Sequence, residues 1–199
     1  MGYSTRPRRW RGGHCVWGRL VHRVTAAARV CISDWLRKYS IRTVLDAPCG
    51  DALWQGLVDG FGDGRYTGAD ISLPALARAQ ARPRNQAAGM RFKSMDVVTE
   101  AIDGCVYDAV MFRDFIQHLS LEHGAKAIAN ACRGGVRFLI ASTFPETTTN
   151  VAQDQLQPSH KNNLLLPPYN LPLPLEDCDN HVGSDDGSRL QLFELEGTC

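Results

Sequence analysis

The sequence lacks the features that mark several classes of protein. No apolar run approaches the roughly 20 residues that span a bilayer, so a membrane-spanning protein is excluded. No segment is repeated in tandem, which argues against a solenoid or a propeller. The 199 residues are 44% apolar and 22% charged, which is the composition of a single globular domain with a buried core.

Metal and redox cysteine patterns are also missing. The seven cysteines include no C-x-x-C pair, so the usual zinc and redox spacings are absent. Their odd number and wide spacing favour mostly structural thiols in a reducing compartment over a disulfide framework. We therefore expect a cytoplasmic protein that binds no metal.

Acidic residues are scarce in the first 45 positions, where Asp34 stands against ten Lys and Arg. Residues 46–199 carry a net charge of −8. Residues 1–20 contain no acid and no apolar signal-peptide core, so a secretory signal is excluded. Three interpretations remain for this segment: a flexible basic leader, an organellar transit peptide, or a nucleic-acid contact. We place the folded domain at 21–199.

Short β-branched and apolar runs alternate with helical patterns along the middle of the chain. Strands are predicted at 43–45, 65–69, 90–94, 107–112 and 135–143, and helices at 21–39, 52–58, 72–82 and 121–132. This alternation indicates a parallel sheet with helices on both faces. A strand at 189–194 with a partner near 173–177 predicts a terminal hairpin, and 144–175 is predicted to be a long loop.

Acidic residues follow four of these predicted strands. They are Asp46 with Asp51, Asp70, Asp96, and Asp114. Ligands of an open parallel sheet bind beyond the carboxyl ends of its strands, so these side chains are predicted to meet at one site. One carboxylate after a strand is common in turns, whereas carboxylates after four strands indicate a shared binding site.

The turn after the first strand contains one glycine, Gly50, and lacks G-x-G-x-x-G. Asp46 and Asp51 flank it, and their charges oppose a phosphate but favour a sulfonium or an amino group. Asp70 lies 24 residues after Asp46, a spacing that suits a carboxylate bonded to ribose hydroxyls. Asp96 suits a carboxylate that accepts from an exocyclic adenine amine. The pattern predicts an adenosyl ligand without phosphates.

Four segments resemble the class I S-adenosylmethionine (SAM)-dependent methyltransferases, at 44–51, 66–70, 92–96 and 107–114. The sequences D-A-P-C-G-D at 46–51 and R-D-x-x-Q-H-L at 113–119 resemble a little-characterised branch of that superfamily. The resemblance covers about residues 12–195. It implies an α/β Rossmann-like sheet of seven strands, five parallel plus a terminal antiparallel hairpin, and an enzyme that uses S-adenosyl-L-methionine.

The resemblance also implies a set of site residues. The cofactor-binding turn comprises Asp46, Ala47, Pro48, Cys49, Gly50 and Asp51, of which Asp46, Ala47 and Gly50 line the methionine part. Asp70 then holds the ribose, Ile71 packs on the adenine, and Asp96 and Val97 recognise the adenine edge. Arg113 and Asp114 lie near the transferable methyl group.

Two residues of the second motif are candidates for catalysis. Asp114 and His118 are four positions apart, so on a short helix they share one face. His118 is the candidate general base because imidazole exchanges protons near neutral pH. The alternatives are that His118 packs locally and that Asp114 caps a helix opposite Arg113.

A small molecule is the favoured methyl acceptor, because no separate recognition domain is present and the charge of residues 46–199 disfavours nucleic acid. One rival is an RNA or protein methyltransferase that uses the basic N-terminal arm. The other rival is a methyltransferase-like binding protein without turnover. No membrane partner is expected.

Overall fold

The computed structural model describes residues 20–152, 159–183 and 186–195. Seven strands form one sheet: β1 (Val44–Asp46), β2 (Tyr66–Asp70), β3 (Arg91–Ser94), β4 (Ala109–Phe112), β5 (Phe138–Thr143), β6 (Glu176–Asp179) and β7 (Arg189–Glu194). Their order in the sheet is β3-β2-β1-β4-β5-β7-β6. The first five strands pair in parallel, and β7 is antiparallel to both of its neighbours. This is the predicted arrangement of five parallel strands and a terminal hairpin.

Four α-helices are present in the described ranges: α1 (Ala26–Lys38), α2 (Leu73–Gln80), α3 (Pro83–Ala87) and α4 (Leu121–Arg133). Residues 20–24 are also helical, and 3₁₀ turns cover Gln55–Leu57 and Ile116–His118. Ser72 and Ser120 cap α2 and α4 through their hydroxyl oxygens, as N-cap serines do. The sequence prediction missed α3, a five-residue helix that begins at a proline. No helix in the described part of the chain is long and apolar enough to cross a membrane.

The central strands of the sheet are buried on both faces, since every residue of β1, β2, β4 and β5 is buried and successive side chains point to opposite sides. Leu45 and Val110 pack on one face with α4, whereas Val44 and Met111 pack on the other with α1. All four residues of β4 are buried, which confirms the prediction for its continuous apolar run. Because the first five strands are parallel, their carboxyl ends lie along the same edge of the sheet.

The helix predicted at 52–58 is wrong: only Gln55–Leu57 forms a 3₁₀ turn there. Two residues just before it have positive φ, Gly50 at 57° and Ala52 at 46°, a conformation that a right-handed helix excludes. Gln55 is buried and donates from Nε2 to Asp46 Oδ2 at 2.9 Å. The segment is therefore shaped by a tight turn and a buried side chain rather than by helix propensity.

A disulfide joins Cys31 of α1 to Cys178 of β6, with Cα atoms 6.6 Å apart. The expectation of reduced structural thiols is wrong for this pair. The partners are 147 residues apart in sequence, so their spacing gave no signal. At the C-terminal end of α1, Tyr39 contacts the same strand, since its hydroxyl donates to Glu176 Oε1 at 2.6 Å.

Candidate functional site

A cavity of about 300 Å³ opens at the carboxyl ends of β1, β2 and β3. This volume is at the lower end of the roughly 300–1,000 Å³ of small-molecule sites. Two carboxylates stand among otherwise apolar walls. The lining residues are Ala47, Pro48, Ala69, Asp70, Ile71, Met95, Asp96, Val97, Val98, Phe115 and Leu119.

Asp70 ends β2 and is held rigidly at the cavity. Its Oδ2 accepts from the backbone N–H of Gly50 at 2.9 Å, and its Oδ1 accepts from the N–H of Ser72 at 2.8 Å. Asp70 is buried, yet it lines the cavity. An ionised carboxylate has about four lone-pair directions, so two bonds to the backbone leave capacity for two hydroxyl donors.

Most of the cavity lining is apolar. Ile71, directly after Asp70, is 73% exposed although it is a large aliphatic residue. Val97 and Phe115 also line the cavity, and Phe115 packs on Phe112 of β4 with ring centroids 5.4 Å apart. An exposed isoleucine in a cavity lined by such side chains offers an apolar contact for a flat ring.

Asp96 follows β3 and lies across the cavity from the turn after β1. Its Oδ1 accepts from the N–H of Val98 and its Oδ2 from the hydroxyl of Thr99, both at 2.9 Å. These bonds fix the carboxylate in one orientation. Its remaining lone pairs are available to a ligand amine.

Asp46 points away from this cavity. It is buried, and its Oδ2 accepts from the hydroxyl of Tyr66 at 2.6 Å as well as from Gln55. Burial raises the pKa of Asp46 to about 7, against the lowering effect of the two hydrogen bonds and of Arg113. These hydrogen bonds connect Asp46 of β1 to Tyr66 of β2 and to Gln55 in the following turn.

The other residues of the first motif build the turn. Cys49 is buried against Gly68, and burial raises the pKa of its thiol, so it is not an activated nucleophile. Asp51 forms an ion pair with Arg82, whose Nε also donates to the Asp51 carbonyl at 2.7 Å. The backbone N–H of Gly50 is used by Asp70, as described above.

Arg113 follows β4 and its guanidinium is largely buried. The guanidinium carbon lies 5.0 Å from the centre of the Trp54 ring, and Nη1 is 2.9 Å from Asp114 Oδ2. Nη2 donates to the carbonyl of Asn180 at 3.2 Å. Burial lowers the pKa of Arg113, and the charges of Asp114 and Asp46 counter that effect.

The predicted helix that joins Asp114 to His118 is wrong. Asp114 has a φ of 52°, outside the right-handed helical region, and the 3₁₀ turn begins only at Ile116. His118 is exposed, and the contacts of Asp114 within the described chain do not include it. The i, i+4 spacing therefore does not bring these two side chains together.

Asp114 instead meets two residues that sequence reasoning missed, Asn180 and His181. Asn180 Nδ2 donates to Asp114 Oδ1 at 2.8 Å, and His181 Nε2 lies 3.0 Å from Asp114 Oδ2. Both come from the turn after β6. The predicted terminal hairpin was the available signal, because its turn falls at the same edge as the carboxyl ends of the parallel strands.

The structure brings together six of the eleven predicted cofactor residues: Ala47, Pro48, Asp70, Ile71, Asp96 and Val97 line the cavity. The other five do not line it and lie instead in the turn after β1 or in the charge cluster after β4: Asp46, Cys49, Gly50, Asp51 and Arg113. The basic segment 1–19 lies outside the described residues.

Comparisons with protein families and with solved structures find several similar proteins. The family model described as "Methyltransferase domain" matches residues 44–134. Magnesium protoporphyrin IX methyltransferase from Synechocystis PCC 6803, solved with bound SAH, matches at a TM-score of 0.59 and 18% identity, over 89% of this chain and 84% of that chain. The same enzyme with bound SAM gives 0.61 and 19% over 89% and 80%.

A further solved structure, the PH0226 protein from Pyrococcus horikoshii OT3, matches at a TM-score of 0.58 and 17% identity, over 84% of this chain and 90% of that chain. No curated protein matches the sequence significantly. At these identities the solved structures establish the fold.

Proposed function

We propose that the chain is a class I S-adenosylmethionine-dependent methyltransferase that transfers a methyl group from S-adenosylmethionine to a small-molecule acceptor, a proposal supported by the methyltransferase-domain model that matches residues 44–134. The observation that carries the proposal is Asp70, a carboxylate held by two backbone amides at a cavity with apolar walls. When bound, this cofactor supplies an electrophilic methyl group on a sulfonium. The protein supplies binding, orientation and electrostatics.

The cavity fits the adenosyl part of the cofactor. Asp70 accepts from the ribose hydroxyls with the lone pairs that Gly50 and Ser72 leave unused. Ile71 and Val97 pack on the two faces of the adenine, which accounts for the exposed isoleucine. Asp96 accepts from the exocyclic amine of the adenine.

The turn after β1 carries the methionine part. No atom outside the turn lies within 4 Å of the place where a Cβ on Gly50 would stand, and this glycine has a positive φ. The backbone is therefore open to close approach by a ligand.

Two facts support a small-molecule acceptor. Residues 46–199 carry a net charge of −8, which opposes the phosphate contacts that dominate nucleic-acid binding. The solved structure described above acts, by its name, on magnesium protoporphyrin IX, a small molecule.

The acceptor class is tested with methyl-labelled SAM and an extract of the source cells that is divided by ultrafiltration. Label is expected in the fraction below about 3 kDa, in proportion to added protein. Label in the RNA or protein fraction would contradict the proposal and favour an enzyme that uses the basic arm. A reaction without added protein is the blank for non-enzymatic methylation.

A further inference from the structure

The turn that follows β6 carries His181 to the end of β4, next to the cofactor cavity. Because β7 is antiparallel to both β5 and β6, this turn lies at the same sheet edge as the carboxyl ends of the parallel strands. His181 Nε2 is 3.0 Å from Asp114 Oδ2, although 67 residues separate them. Phe115, directly after Asp114, lines the cavity, so Asp114 is one residue along the chain from the cavity wall.

Asp114 itself is poorly suited to remove a proton. Its Oδ2 contacts Arg113 and His181, and its Oδ1 accepts from Asn180 and, at 3.3 Å, from Ser142. Burial alone would raise its pKa, but the bond from His181 and the charge of Arg113 outweigh it and hold the pKa well below its usual range. A carboxylate so stabilised is a weak base, but it is a strong acceptor for an imidazole N–H.

The second ring nitrogen of His181, Nδ1, has different surroundings from Nε2. Nδ1 lies 3.7 Å from Asp186 Oδ2, which is beyond hydrogen-bond range. A quarter of the His181 side chain is exposed. With Nε2–H directed to Asp114, the lone pair of Nδ1 is left to accept a proton.

From this geometry we infer that His181 is the catalytic base for the methyl acceptor and that Asp114 positions it, an inference that rests on the proposed function. In this step the acceptor atom forms a bond to the methyl carbon while the carbon–sulfur bond breaks and sulfur keeps that electron pair. The acceptor's proton passes to Nδ1 of His181. Nε2–H remains bonded to Asp114, which stays ionised and stabilises the resulting imidazolium.

His181 thus takes the role of base that the sequence motif predicted for His118. The two are distinguished without knowledge of the acceptor by installing a nucleophile at each position. His181→Cys and His118→Cys proteins are incubated with SAM for many hours, and each cysteine is examined by peptide mass spectrometry for a gain of one methyl group. The native exposed Cys105 is the internal control.

We expect S-methylation at position 181 at least 10-fold above that at position 118 and at Cys105. Methylation at 118 instead, or at neither position in proteins that bind SAH, would overturn the inference. Failure of the wild-type protein to bind SAH would refute the proposed function, so the two failures are separate results.

A second measurement addresses the positioning role of Asp114. The ¹⁵N shifts of the His181 ring, recorded on the protein without ligand, are expected to show Nε2 protonated in the neutral form. In the Asp114→Asn protein, where the amide is a weaker acceptor, the two tautomers are expected to mix. A neutral ring protonated mainly at Nδ1 in the wild type would contradict the assignment of Nδ1 as base.

Discussion

Asn180 Nδ2 donates to Asp114 Oδ1 at 2.8 Å across 66 residues of sequence. Asn180 is completely buried, and the same amide donates to Ser142 Oγ at 3.1 Å and to Ser188 Oγ at 2.8 Å. One side chain thus joins the turn after β4, the end of β5 and the start of β7. The turn that holds His181 is fixed to the sheet by this contact.

Replacing Asn180 by alanine is expected to destabilise the protein by about 1–3 kcal/mol, because buried polar partners lose their donor. Asn180→Asp is expected to cost more, since it places a second carboxylate against Asp114. Urea unfolding of the three proteins at neutral pH measures both effects. Equal stability of the Ala and Asp variants would argue against the contact.

Gly68→Ala is expected to cost about 1–3 kcal/mol in stability. A Cβ at this position would lie 2.7 Å from the Phe92 ring and 2.8 Å from Cys49 Sγ. Gly62→Ala is the matched control, because its Cβ would meet only the Ala88 carbonyl, at 3.8 Å. We expect the control to change stability by less than about 0.5 kcal/mol. Similar unfolding midpoints for the two variants would refute this account of the packing.

The stability of the wild type is expected to fall relative to Asp46→Asn as pH rises from about 4 to 7. The buried carboxyl of Asp46 has a pKa of about 7 in the folded protein, against an ordinary value of 3.8. The folded state therefore holds a proton that the unfolded state has released, so the advantage is full below pH 4 and is lost by pH 7. Each unit of pKa shift corresponds to about 1.4 kcal/mol.

Urea unfolding of both proteins at intervals between pH 4.5 and 8 gives this difference directly, since other groups titrate alike in the two. A difference that is constant with pH would show that Asp46 is ionised throughout.

Ser120→Ala is expected to destabilise the protein by about 1 kcal/mol through loss of the α4 cap. The Ser120 hydroxyl accepts from the N–H of His123 at 3.2 Å. Ser120→Asp keeps an acceptor at the helix N-terminus and is expected to retain most of the stability. Thermal unfolding followed by circular dichroism compares the variants; equal losses in both would count against a capping role.

The carboxyl-end residues of the strands were predictable because they depend on local sequence. Short apolar strands place Asp70 and Asp96 at one edge of a parallel sheet, and the structure lines one cavity with both. The direction in which the Asp46 side chain points was not predictable in this way. Whether its side chain meets the ligand or the core depends on Tyr66 and Gln55, which lie on other segments.

The contact between His181 and Asp114 was also not predictable from the sequence motif. The spacing of Asp114 and His118 suggested a shared helical face, but the positive φ of Asp114 turns the chain before any helix begins. The observed partner comes from a hairpin 67 residues later. Only the three-dimensional pairing of β5, β7 and β6 brings that turn to the site.

The most direct test of the account is calorimetric titration of S-adenosylhomocysteine into the wild type, Asp70→Asn and Asp34→Asn, with NAD as a control ligand. Asp34 is an exposed carboxylate on α1, so its variant controls for loss of charge. We expect wild type and Asp34→Asn to bind S-adenosylhomocysteine alike and NAD not at all. Asp70→Asn should bind about 10- to 100-fold more weakly, because a hydrogen bond to a charged group contributes about 1.5–3 kcal/mol. No binding by the wild type, or equal binding by Asp70→Asn, would contradict the central claim.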